Sequence, residues 1–109
     1  MNDQKYQRIS FEQGRALMDS GAPFVFLDVR TEDEYIVEHA AGAALFPLDE
    51  IDRALAQKMI PDLDTAVLLY CRTGRRSRLA ADKLLELGYR RIYDLGSLSG
   101  WPYGREYGD

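Results

Sequence analysis

The feature that most restricts the fold of this chain is the alternation of short, uninterrupted apolar runs with stretches of helical periodicity. Phe24-Val25-Phe26-Leu27 follows Pro23 and stops at Asp28, and Ala66-Val67-Leu68-Leu69-Tyr70 stops at Cys71. A run that is apolar at every position is the pattern of a strand covered on both faces, as in parallel sheets flanked by helices. Arg8-Ile9-Ser10, Ala43-Ala44-Leu45-Phe46 and Arg91-Ile92-Tyr93-Asp94-Leu95 read as further strands. The implied class is α/β, a three-layer α/β/α sandwich around a parallel sheet. A chain of 109 residues holds one such domain, residues 1–109, with enough buried surface for a real core.

Helix signals fall between these runs. Ser10 with Gln13, and Thr31 with Glu34, have the spacing of capping boxes, predicting helices from Phe11 to about Ser20 and from Thr31 to about His39. Gly21 ends the first. A polar helix is expected from about Asp49 to Lys58, after Pro47. The stretch from Arg76 to Leu87 carries Ala80, Ala81, Leu84, Leu85 and Leu87 as an apolar stripe and closes at Gly88. Gly96 to Pro102 reads as a glycine-punctuated loop, and Tyr103 to Asp109 as a poorly ordered tail.

Composition removes several classes. With 46% hydrophobic and 29% charged residues the chain is neither disordered nor fibrous. Met1 to Gln7 has no apolar signal core and no run approaches bilayer length, so a cytoplasmic protein without a membrane partner is expected. A net charge of −4 argues against nucleic acid. The single cysteine can form neither an internal disulfide nor a thiolate metal site, and neither metal nor cofactor is expected. Charge is nevertheless unevenly spread. Asp28 to Asp52 holds eight carboxylates and one arginine, Arg72 to Arg91 seven cations and two carboxylates. A small anionic substrate or a negatively charged partner surface is drawn to the basic half, although the outlying charges read equally well as solvated helix faces.

That basic half begins at Cys71-Arg72-Thr73-Gly74-Arg75-Arg76-Ser77, between a strand and a helix N-terminus. In open α/β sheets ligands bind at the carboxyl ends of strands, which is where Cys71 falls. Backbone N–H groups, a helix dipole and guanidiniums gathered around a thiol all favour thiolate. Gly74 can turn successive N–H groups inward, Thr73 and Ser77 offer hydroxyls, and Arg72, Arg75 and Arg76 offer charge. Counting Arg78, four arginines lie within eight residues, more than one thiolate requires, and a bound oxyanion is the natural complement. An inert packing cysteine is the commoner fate of a lone thiol. Such a residue has no need of an arginine-rich loop after it, and the loop alone leaves acyl, phosphoryl and sulfur transfer open.

Four blocks narrow the choice: Leu27-Asp28-Val29-Arg30 with Glu34-Tyr35, His39-Ala40-Ala41-Gly42-Ala43, Tyr70-Cys71 through Ser77, and Leu95-Gly96-Ser97-Leu98-Ser99-Gly100-Trp101. In their order and spacing the chain resembles, over nearly its whole length, the small single-domain members of the rhodanese family of sulfurtransferases. The resemblance implies a five-stranded parallel sheet of order 3-2-4-5-1. It also implies that Cys71 accepts sulfur from thiosulfate or a similar small anionic donor, carries it as a persulfide, and passes it to cyanide, a small thiol or a sulfur-acceptor protein. Arg72, Thr73, Gly74, Arg75, Arg76 and Ser77 become the candidate donor-binding residues, with Arg72 and Arg75 foremost. At the helix start, the Arg76 cation opposes the dipole unless another charge compensates it. Asp28 and Arg30, at the same sheet edge, are expected to form a structural ion pair. For His39, before the third strand, a structural or surface role is favoured over that of a base. The resemblance puts Trp101 and Tyr103 at the entrance of the site, while packing on the sheet is the stronger expectation for Trp101. Where the family has glycine before the histidine and isoleucine and proline after it, this chain has Glu38, Ala40 and Ala41, a change of turn.

The rival enzyme class is the cysteine-dependent phosphatases, which place five residues between cysteine and arginine so that the loop surrounds a phosphoryl group. The matching position here is Ser77, and no histidine directly precedes Cys71. Arsenate reduction lacks a second cysteine. A non-catalytic binding or persulfide-carrier module of the same fold is the third reading, and for a binding module the retained Cys71 is unexpected.

Overall fold

Strand Ala66–Cys71 is buried at every residue, and the rest of the fold is arranged on its two faces. The structure is a computed structural model and describes residues 6–108. In chain order the elements are β1 (Gln7–Arg8), α1 (Phe11–Asp19), β2 (Phe24–Asp28), α2 (Glu32–Val37), β3 (His39–Ala40), β4 (Ala44–Leu45), a 3₁₀ turn (Leu48–Glu50), α3 (Arg53–Met59), β5 (Ala66–Cys71), α4 (Arg75–Glu86), β6 (Arg91–Ser97) and β7 (Arg105–Glu106). The main sheet runs β1-β6-β5-β2-β4 with every neighbouring pair parallel. Counting only its own five strands along the chain, this is the order 3-2-4-5-1.

Alternation along β5 divides the core. Val67, Leu69 and Cys71 point to one side, with Ala56 of α3, Ile60 just after it, and Ala80, Ala81 and Leu84 of α4. Ala66, Leu68 and Tyr70 point to the other, with Phe26, Leu95, Leu98 and Trp101. Each leucine so enclosed contributes roughly 1.5–3 kcal/mol of burial. α1 joins that second side through Gly14, where an added Cβ would lie 2.8 Å from Leu95 Cδ2. Phe24, at the start of β2, is 39% exposed, so the continuous run from Phe24 is doubly covered only from Phe26 onward.

Both capping boxes form, Ser10 with Gln13 and Thr31 with Glu34. Several boundaries move for identifiable reasons. Ser10 serves wholly as the cap of α1, leaving Gln7–Arg8 as the ladder. α2 stops at Val37 because the chain becomes extended at Glu38, whose carbonyl is captured by Arg30 Nη2 at 2.6 Å, and His39 starts a strand instead of ending a helix. The helix expected over 49–58 divides: Ile51 turns into the core, and Asp52 caps a new helix by accepting the Leu55 N–H at 2.8 Å. The expectation of a loose C-terminal tail is overturned. Arg105–Glu106 pairs antiparallel with His39–Ala40, giving a second, two-stranded sheet, while Asp109 lies outside the described residues.

Candidate active site

The site forms where β5 ends. Cys71 is the last residue of the strand and has no exposed surface. Gly74, at φ +95°, caps α4, a conformation that costs glycine little and other residues more. It turns the Gly74 N–H onto Cys71 Sγ at 2.9 Å, the arrangement expected to stabilise anionic sulfur. Gly96 lies against this turn, 3.8 Å from where a Gly74 Cβ would stand.

Other contacts fix the loop from outside. The Leu98 N–H donates to the Cys71 carbonyl at 2.9 Å, and Ser97 Oγ to the Arg72 carbonyl at 2.5 Å. Ser77, fully buried, donates to the Gly74 carbonyl at 3.2 Å. Arg72, Thr73 and Arg75 are exposed. Arg72 and Thr73 line a cleft of about 600 Å³ closed by Arg30, Asp33, Glu34, Val37 and Glu38 on one side and Leu98, Ser99 and Arg105 on the other.

Arg76 faces α2. Its guanidinium forms a two-pronged pair with Glu34, at 2.7 and 2.9 Å, which supplies the charge compensation a cation needs at a helix start. The Arg76 hydrogen bonds, against the opposing cost of burial, hold the Glu34 carboxyl down at about 2, with further help from Thr31. Because this folded value lies below the ordinary 4.5, the pair stabilises the fold fully above about pH 4.5 and loses that contribution as pH falls toward 2. Glu34→Gln keeps the hydrogen bonds of the capping box and removes the charge. Both side chains being partly solvated, its expected cost at neutral pH is about 1–2 kcal/mol. Urea unfolding should show the gap between wild type and variant closing between pH 4.5 and 2. A gap independent of pH would contradict the charge assignment.

Beneath the loop lies a buried polar network. Asp28, without exposed surface, accepts from the Arg30 backbone N–H at 2.9 Å, from Arg30 Nη2 at 2.6 Å and from the Tyr70 hydroxyl at 2.6 Å. Tyr70 in turn accepts the Ala40 N–H at 3.0 Å. Burial, and then the hydrogen bond to Asp28, push the Tyr70 hydroxyl far above its ordinary value, so it stays neutral while donating to Asp28 and accepting from Ala40. Burial works against the Arg30 charge, but Asp28 more than offsets it and raises the guanidinium. The network ties the residue before Cys71 to β2 and to the end of α2.

Elsewhere, His39 is buried, stacked on Tyr35 with ring centroids 3.6 Å apart, and set between the Tyr35 carbonyl and Glu106, away from the sulfur loop. Trp101 packs among Phe11, Phe26 and Tyr103. Among the described residues no three His, Cys, Asp or Glu side chains converge as a metal site, and no helix is long and apolar enough to cross a membrane. Sequence reasoning missed Arg105, which β7 brings to the cleft and which donates to Glu38 and to the Leu98 carbonyl, both at 3.1 Å. It also missed Ser97. The strand pairing that places Arg105 joins residues more than sixty positions apart and leaves no periodic signal.

Comparison with known proteins bears on this geometry. Residues 10–102 match the model of the rhodanese-like domain. The thiosulfate sulfurtransferase PspE of Escherichia coli is 37% identical over 73 residues, 67% of this chain and 69% of the relative. The thiosulfate sulfurtransferase GlpE of Pseudomonas paraeruginosa is 30% identical over 97 residues, covering 88% of this chain and 84% of that one. Other curated relatives extend well beyond the match, the chain spanning 49% of one and 24% of another. A solved rhodanese with anions from E. coli superposes with a TM-score of 0.72 at 32% identity, over 77% of this chain and 98% of that one. With the five-stranded parallel sheet, the cysteine at the end of its central strand and the matched residues in agreement, the chain belongs to the rhodanese-like domain family.

Proposed function

We propose that this chain is a sulfurtransferase working through a Cys71 persulfide, with residues 1–109 acting as one domain. The observation that carries the reading is the Gly74 N–H set on Cys71 Sγ at 2.9 Å, beside a cleft whose wall presents Arg72. In the first half-reaction the Cys71 thiolate attacks the outer sulfur of thiosulfate. The new S–S bond forms as the bond to the sulfonate sulfur breaks, and the electron pair leaves with sulfite. The outer sulfur then carries the negative charge, which loop N–H groups and the helix dipole stabilise. In the second half-reaction cyanide or a thiolate attacks that sulfur, and Cys71 leaves as thiolate. Splitting one transfer into two displacements is covalent catalysis, and its electron balance needs no redox cofactor.

Arg72, exposed and at the cleft, steers the anionic donor together with Thr73. Arg75 adds to the field from the loop's outer face, and Arg76 supports the loop through Glu34. Gly74 and Ser77 shape the turn. Asp28 and Arg30 hold the strand end from which Cys71 emerges. Since Cys71 has no exposed surface, the cycle includes a movement of the side chains around it that admits the donor. The acceptor is a small thiol or a thiol-bearing protein, and a cytoplasmic setting suits such an acceptor.

The test is a pair of assays on the same preparation. Thiosulfate with cyanide should yield thiocyanate and sulfite, with double-displacement kinetics, while an aryl phosphate should not be hydrolysed. Aryl phosphate turnover without thiocyanate would overturn the proposal in favour of phosphoryl transfer.

A further inference from the structure

A loop that binds anionic sulfur must keep its carbonyl oxygens turned away, because a carbonyl dipole aimed at the anion repels it as strongly as an N–H attracts it. Three carbonyls of this loop have assigned donors. That of Cys71 is taken by the Leu98 backbone and that of Gly74 by Ser77 of the following helix. The Arg72 carbonyl alone depends on a side chain from another strand, Ser97 Oγ at 2.5 Å.

The placement of Ser97 is built into the sheet. Leu69 pairs with Asp94 but Tyr70 with Gly96, so Leu95 is an extra residue in β6 and the register steps forward to set Ser97 opposite Cys71. Asp94 Oδ1 holds the bulge by accepting the Gly96 N–H at 2.8 Å, and Gly96 bends there at φ +77°. The hydroxyl is fixed at both ends: it donates to Arg72 and accepts the Ser99 N–H at 3.0 Å. A planar trans peptide sends its N–H opposite to its carbonyl. Drawing the Arg72 carbonyl toward β6 therefore turns the Thr73 N–H away from β6.

We infer that Ser97 is a positioning residue for the Cys71 loop, its hydroxyl locking the Arg72–Thr73 peptide with the N–H rather than the carbonyl presented to the anion. The inference rests on the sulfurtransferase reading for its role in turnover, but its effect on the thiol does not need that reading. Without the hydroxyl the peptide can flip, and Cys71 faces a carbonyl for part of the time.

The experiment compares wild type with Ser97→Ala, Ser97→Gly and Ser97→Thr. Three readouts are taken: thiocyanate formation, the rate of Cys71 alkylation by iodoacetamide at fixed neutral pH, and melting temperature. Loss of the hydroxyl should slow both turnover and alkylation about tenfold, a change of one power of ten in rate constant. Threonine should restore both to within twofold, with all melting temperatures within a few degrees. Alkylation within twofold of wild type in the folded alanine or glycine variant would overturn the inference, as would failure of threonine to rescue a folded protein. Should wild type form no thiocyanate, the functional reading fails, while the alkylation series still decides the role of Ser97.

Discussion

Asp28→Ala is expected to lower the unfolding free energy by about 3–5 kcal/mol, because removing one partner of a buried ion pair leaves the other charge uncompensated. Asp28 is fully buried and its carboxylate receives Arg30 Nε, Arg30 Nη2 and the Tyr70 hydroxyl. In the variant the Arg30 guanidinium keeps the Glu38 carbonyl as acceptor, and the Tyr70 hydroxyl loses the carboxylate it donates to at 2.6 Å. Replacing both ends, as in Asp28→Leu with Arg30→Met, should recover part of the loss, since the isolated charge goes with its partner. Urea midpoints with unchanged m-values report the effect. A single-variant loss below about 1 kcal/mol would show the pair to be hydrated and structurally minor.

The second large effect is chemical. Cys71→Ser should reduce sulfur transfer at least about a thousandfold, equivalent to about 4 kcal/mol in the barrier, because a serine alkoxide is scarcely formed at neutral pH and cannot carry a persulfide. Cys71 is fully buried at a strand end and receives the Gly74 N–H, which a serine oxygen can also accept. The variant should therefore melt within a few degrees of wild type. Residual activity within tenfold would place the sulfur elsewhere and remove Cys71 from the mechanism.

The sheet was legible because β5 is apolar at each position before Cys71 and because parallel strands are separated by helices whose caps are local. Ser10 with Gln13 and Thr31 with Glu34 do in the structure what their spacing alone predicts. Asp28 and Arg30 likewise pair as two nearby residues at a strand end can. What could not be read is what depends on tertiary pairing. The partner of Arg76 is Glu34, 42 residues away, and charge counting gave the sign of each region without matching individuals. The same holds for the Tyr70 hydroxyl, whose aromatic ring fitted the apolar pattern and concealed a polar end aimed at Asp28. The bulge that carries Ser97 to Cys71 has a glycine as its only local mark, and β7 reads as tail because a two-residue strand has no period.

The central claim is that sulfur comes to rest on Cys71. Intact mass spectrometry of the protein after incubation with thiosulfate and removal of excess donor measures this directly. The account predicts a gain of one sulfur atom, reversed by cyanide or by a thiol and absent in Cys71→Ser. An unchanged mass for wild type, or the same gain in the serine variant, would contradict it.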